Sequence, residues 1–281
     1  MPITSPPFTR ALARTTLNKV PEVTVFFWII KILCTTVGES AADYINENLG
    51  LGLTGTSLLM TAVLIAALIV QFRSDRYVPG RYWSVVVLVS VVGTLLTDNL
   101  TDNLGLSLLI TTPTFAVLLA VTFVSWYRRE GTLSIHSIVT TRREGWYWLV
   151  VLLTFALGTA AGDLVAERLN LGFGPSIVLF AALIALITAA RFVGGLNAVL
   201  SFWLAYVLTR PLGASIGDFL SADPRESGRG LGPLGTSLIF LAVILALVVY
   251  LSLRKVDVIS RDETPSPRPA TGETVRGHAH R

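Results

Sequence analysis

Eight apolar runs of about 20 residues recur along the chain, and the segments between and beyond them carry most of its charge. A helix of that length crosses the roughly 30 Å of hydrocarbon in a bilayer and satisfies its own backbone N–H and C=O groups. The runs lie at roughly 23–46, 53–72, 82–102, 107–127, 146–167, 174–192, 196–220 and 233–253, bounded by charge or by Gly/Pro clusters. They predict an all-α, polytopic membrane protein with eight transmembrane helices. With 52% apolar and only 14% charged residues, against about 25% charged in a soluble domain, the composition argues against a soluble cytosolic enzyme. The single cysteine, Cys34, lies inside an apolar run. Disulfides and Cys-based metal sites are therefore not available.

The spans divide the chain into a first four-helix half at 20–128, a connector at 129–145 and a second half at 146–255. Residues 1–19 are polar, basic and Pro-containing, and 256–281 are rich in Pro, Thr and Arg; both are expected to be disordered. Basic residues ahead of an apolar stretch resemble a signal peptide, but the first span carries a motif that recurs downstream. The side bearing both termini holds 17 of the 22 Lys and Arg residues, and the other side holds only Arg168, Arg225 and Arg229. By the positive-inside rule both termini are expected to be cytoplasmic.

Self-comparison reveals a fourfold motif, Gly followed five residues later by Asp: Gly38 to Asp43, Gly93 to Asp98, Gly158 to Asp163 and Gly213 to Asp218. The intervals are 55, 65 and 55 residues, so first to third and second to fourth are both 120 apart. A helical hairpin duplicated twice leaves that spacing. Each Asp but the last has an acid four residues on (Glu47, Asp102 and Glu167), whereas the fourth copy has Ala222 there and then Asp223. Each motif ends an odd-numbered helix, so all four approach the outer membrane face. The halves are then parallel repeats about a pseudo-twofold axis along the membrane normal. Residues four apart share a helix face, and small residues around the motifs allow close packing. Four odd helices around a central acidic funnel is the simplest assembly.

Ten of the 18 acids lie in these motifs or in outer loops. Carboxylates at helix C-termini near a membrane need counter-charges, protons or bound cations. Lys31 lies eight residues before Glu39, and Arg210 eight before Asp218, each on the face of its acid. Two counter-charges cannot neutralise four acidic clusters, which points to a cation or proton site. Its candidates are Glu39, Asp43, Asp98, Asp102, Asp163, Glu167 and Asp218, with Thr94, Thr97 and Thr159 as neutral oxygens. As metal ligands the set narrows to Glu39, Asp43, Asp98, Asp163 and Asp218, since oxygen donors without Cys or His suit a hard cation. In the structural alternative the aspartates cap helix ends, Lys31 snorkels or pairs with Glu39, and Arg210 bonds carbonyls freed at Pro211.

Several segments resemble a bacterial family of uncharacterised, multi-spanning "membrane-anchored" integral membrane proteins. They are Lys19 to Thr24, Phe27-Trp28, Lys31, and Thr35 to Glu39 with Asp43 in the first half. Leu133 to Ile138, Arg142 to Glu144 with Trp146 to Trp148, Leu157 to Asp163 and Thr209 to Ser215 follow. The resemblance covers about 19–255. It implies membership, a multi-helix fold and a bacterial plasma membrane, and supplies no activity, cofactor or site residue. Within the chain, Glu39 is matched by Thr94, Thr159 and Ala214, so Glu39 and Asp43 form the most acidic corner.

No Walker loop, dinucleotide fingerprint, nucleophile elbow or zinc spacing is present. The expected function is therefore not enzymatic and involves no cofactor and no nucleic acid. The leading expectation is a secondary transporter or exporter of a divalent cation, Mn2+ or similar, with proton exchange on spare carboxylates. Its partners are the lipid bilayer and an inorganic cation or proton. The competing expectations are a non-transporting scaffold or regulator using the loop 129–145, and a carrier of organic cations using Trp28, Trp146, Trp148 and Trp203. Tryptophans at span ends also form interfacial belts.

Overall fold

A computed structural model describes residues 18–48, 50–226 and 228–258. Its eight long helices are α1 (Val25–Asn48), α2 (Gly52–Phe72), α3 (Pro79–Asp98), α4 (Leu108–Glu130), α5 (Thr141–Asp163), α6 (Phe173–Phe192), α7 (Ala198–Ser221) and α8 (Gly232–Arg254). All eight are long and apolar enough to cross a membrane, and the chain is a multi-pass membrane protein. α3 and α5 each run on through one π-helical turn, Asn99–Asn103 and Leu164–Arg168. Local caps punctuate the spans: the Asn197 side chain accepts from the Val199 and Leu200 N–H groups, and Gly131 ends α4 in the left-handed region at φ 72°. A short 3-10 turn, Ile135–Ser137, lies in the connector before α5.

The helices form two layers. More than half of each odd span is buried, against 11% to 28% of each even span, so the odd helices form the core and the even helices face lipid. In the inner layer α1 packs on α3, α3 on α5, α5 on α7, and α7 back on α1. The motif glycines explain this order. A Cβ on Gly38 would strike Ser90; on Gly93 it would lie 2.7 Å from Phe155 Cβ. On Gly158 it would lie 2.5 Å from Arg210 Cβ, and on Gly213 it would lie 2.7 Å from Thr35 Cβ. Ser90, Phe155, Arg210 and Thr35 each stand three residues before the motif glycine of their own helix. One contact, repeated four times and handed to the next repeat each time, closes the bundle as a quasi-fourfold ring. The two-halves description is a coarser version of this ring.

The even helices link each hairpin repeat to the next. α2 packs chiefly on α3, α4 on α5, α6 on α7 and α8 on α1. Each outer helix thus covers the next repeat's inner helix rather than its own. The shared openings follow suit: Ser57 of α2 bonds Asn99 beyond α3 at 2.5 Å, and Ser237 of α8 bonds Ser40 of α1 at 3.1 Å.

The terminus-bearing side is tied together by buried polar bonds. Lys19, assigned from sequence to a disordered segment, is buried. Its Nζ donates to Glu144 Oε2 at 2.8 Å and to the Phe72 carbonyl at 3.2 Å. Gln71 donates to the other Glu144 oxygen at 3.0 Å. Asp257, placed in the disordered tail, is also buried; its carbonyl accepts from Glu22 N–H at 2.9 Å and its Oδ2 from Tyr77 OH at 2.5 Å. The disorder expected of 1–17 and 259–281 concerns residues outside those described. Of the four tryptophans expected at span ends, Trp148 and Trp203 are buried in the bundle, where they pack with Tyr82, Tyr147 and Tyr206, and Trp28 and Trp146 are half-buried.

Candidate functional site

The C-terminal ends of the four inner helices surround a polar cavity of about 240 Å³. Its lining is Glu39, Asp43, Asn46, Asp98, Thr101, Asp102, Leu108, Asp163, Glu167 and Asp218. All seven sequence-proposed carboxylates are therefore brought together. They are graded by depth: Asp102 and Glu167 are exposed at the rim, Asp43, Asp98, Asp163 and Asp218 are half-buried in a ring, and Glu39 is buried at the floor. The π-turns after Asp98 and Asp163 carry Asp102 and Glu167 around to the same opening. Glu47 is exposed and outside the lining, where Asn46 takes its place. Asn46 and Thr101, outside the expected set, share one place in the repeat, three residues after Asp43 and Asp98, where the other copies have Ala166 and Ser221.

Among the described residues, none of the four motif aspartates has a hydrogen-bonding or ion-pairing side-chain partner, and none caps a helix. Their oxygens face the cavity. The capping alternative does not describe this site.

Beneath the floor lies Arg210, fully buried. Its Nη2 donates to Glu39 Oε2 at 2.7 Å, to Thr159 Oγ1 at 2.7 Å and to Thr94 Oγ1. Nη1 reaches the Thr35 carbonyl at 3.3 Å, and the guanidinium lies 5.6 Å from the centre of the Phe155 ring. Thr94 in turn donates to Glu39 Oε2 at 3.2 Å. The pairing expected with Asp218 is corrected: Arg210 pairs with Glu39 on the neighbouring helix α1. The residues following the motif glycine in repeats one to three (Glu39, Thr94 and Thr159) all converge on this guanidinium. The fourth copy has Ala214 there, and its helix instead supplies the arginine one turn earlier.

Two other expected members lie elsewhere. Thr97 donates to the Ala156 carbonyl at 3.0 Å and the Gly93 carbonyl at 3.2 Å, so it staples α3 to α5 and is not a cavity oxygen. Lys31 neither snorkels nor pairs with Glu39. It lies below the floor, where its Nζ donates to Thr209 Oγ1 at 2.7 Å.

Four matches to a family described as a Repeat of Unknown Function (DUF347) cover residues 26–77, 81–132, 146–194 and 201–257. The chain belongs to this family. Each DUF347 match spans one odd helix and the even helix after it, so each repeat contributes one wall of the cavity and one aspartate to its ring. Comparison with curated proteins and with solved structures finds no match.

As a metal centre the site differs from expectation. Among the described residues, no three His, Cys, Asp or Glu side chains are grouped closely enough to hold a metal ion. Glu39, Asp43, Asp98, Asp163 and Asp218 are therefore not a preformed coordination shell. The four aspartates are distributed around the cavity wall, and Glu39 is committed to Arg210. None of the tryptophans suggested for organic cations lines the cavity.

Proposed function

We propose that this DUF347 protein is a secondary transporter that moves a hard divalent cation, Mn2+ or similar, outward through the acidic funnel in exchange for protons. In this reading it works in a bacterial plasma membrane with both termini cytoplasmic, without a resident cofactor and without enzymatic chemistry. The observation that carries the reading is the ring of four aspartates without side-chain partners, one per repeat, around a single cavity above a buried arginine. Carboxylates in that setting are costly without cations or protons, and oxygen ligands select hard ions. A liquid water occupies about 30 Å³, so the cavity admits an ion with part of its hydration shell. Such an ion is held weakly by a dispersed ring and more tightly when the side chains close on it. The Glu39–Arg210 pair is the plug that must shift before an ion passes.

The test is Mn2+ flux into liposomes carrying the purified full chain, with an imposed proton gradient. Asp98→Asn and Asp43→Asn are expected to reduce flux at least 10-fold at equal incorporation. Undiminished flux in both variants would overturn the proposal, and variants that fail to assemble would favour a purely structural role.

A further inference from the structure

Among the described residues three basic side chains are buried: Lys19, Lys31 and Arg210. Lys19 holds Glu144 and Arg210 holds Glu39, each with a carboxylate oxygen within 2.8 Å. Lys31 has no ion-pair partner among those residues. An ammonium has three N–H donors, and here one goes to Thr209 Oγ1. The amine otherwise stands over the faces of Tyr206 and Phe155, 4.0 and 4.9 Å from the ring centres. Packing does not require a lysine there. The matching positions, seven residues before the motif glycine, are Val86, Val151 and Tyr206.

Lys31 and Arg210 lie against the same Phe155 ring, and Glu39 pairs directly with Arg210 alone, so its carboxylate is what offsets the arginine charge beside Lys31. A divalent cation that draws Glu39 into the funnel leaves the Arg210 charge unopposed beside Lys31 in a desolvated bundle. Arginine cannot lose its proton, whereas a buried lysine can. We propose that Lys31 carries the coupling proton: cation binding at Glu39 discharges Lys31, and cation release recharges it. This rests on the reading of the funnel as a cation site. In the step, Lys31 –NH3+ becomes –NH2 and one proton leaves to water on the terminus-bearing side; after cation release a proton arriving from the funnel side restores –NH3+. The titratable or charged groups around Lys31 are Cys34 on α1, Tyr206 and Arg210 on α7, and Tyr147 on α5 next to Tyr206. α3 brings Tyr82, hydrogen-bonded to Tyr147 at 2.5 Å, and α8 brings no charged group before Arg254. Among the described residues the Tyr206 hydroxyl is buried and makes no hydrogen bond of regular geometry, beside that tyrosine pair and on the side through which the proton would leave.

The chain has only three lysines, Lys19, Lys31 and Lys255, so selective 13Cε-lysine labelling gives one NMR signal for each. The experiment uses the full chain in detergent, with Mg2+ and Ca2+ as diamagnetic probes and calorimetry to establish their binding. Lys31→Met assigns the signal; if that variant does not accumulate, Lys19→Arg and Lys255→Arg assign it by elimination. Saturation with cation at neutral pH is expected to move the Lys31 signal from its ammonium to its amine position. Wild type is expected to release about one proton more per bound cation than Lys31→Met. An unmoved Lys31 signal in a cation-saturated protein would overturn the inference and leave the funnel intact. Absence of any cation binding would remove the funnel reading and this one together.

Discussion

The ring contact can be tested with two glycines one turn apart on α5. An alanine Cβ at Gly158 would lie 2.5 Å from Arg210 Cβ and 3.0 Å from Pro211 Cδ. At Gly162 the nearest atoms are Pro211 Cα and Cβ, both at 3.6 Å. Carbon atoms pack at about 3.5–4.0 Å, so Gly158→Ala must push α5 and α7 apart by roughly 1 Å, whereas Gly162→Ala fits as it is. Arg210 cannot yield easily, because its guanidinium is held by Glu39, Thr94 and Thr159. Overpacking of this kind costs up to about 3 kcal/mol, and alanine returns about 1 kcal/mol of helix propensity relative to glycine. The net expectation is a loss of about 2 kcal/mol for Gly158→Ala, roughly 30-fold in the folding equilibrium. Gly162→Ala is expected to be neutral or to gain up to about 1 kcal/mol. Unfolding by SDS titration in bicelles, followed by tryptophan fluorescence, measures both. Equal stability of the two variants would refute the glycine contact as the device that closes the ring.

Two further predictions use buried charge. Glu39→Gln leaves the Arg210 guanidinium buried without a carboxylate and is expected to cost about 3–5 kcal/mol. The double variant Glu39→Gln with Arg210→Met should recover much of that loss in the same titration, and no recovery would show that the pair is not coupled. At the terminus-bearing side, burial pushes the Asp257 carboxyl above its ordinary value, against the lowering effect of its bonds from Tyr77 and from backbone. A raised folded-state value means that the carboxyl's contribution to stability is complete below the ordinary range, about 3.9, and is lost as pH rises through the raised value. Exchange of the Glu22 amide hydrogen, bonded to the Asp257 carbonyl, should be best protected in acid after correction for intrinsic rates, and Asp257→Asn should flatten that dependence.

Span positions, shared motif direction and the acidic funnel were legible in the sequence, because each depends on what one helix contains. Length, hydropathy and the Gly-to-Asp spacing all report on a single helix. Partner choice depends on what several helices bring to one point, which no single helix's sequence specifies. Arg210 was assigned to Asp218 on its own face, whereas Glu39, Thr94 and Thr159 come from three other helices. The signal available was the column following the motif glycine, polar in three repeats and Ala214 in the fourth, with an arginine one turn before it. Thr97 was read as a cavity oxygen because a hydroxyl next to Asp98 gives no indication that the adjoining carbonyl of α5 has claimed it. Lys19 and Asp257 were placed in tails because each partner, Glu144 and Tyr77 respectively, lies more than 100 residues away.

The handing-on of each outer helix to the next repeat has a consequence for how the chain is made. α1 is synthesised first, yet the helix that covers it, α8, is synthesised last. Thr209, which holds Lys31, follows it by 178 residues. At about 5–20 residues per second, that is a delay of roughly 10–35 s. During this interval α1 stands in the membrane with its lysine and Glu39 unshielded. Order of synthesis and order of assembly therefore diverge: the first of these eight helices to be made is the last of them to be enclosed.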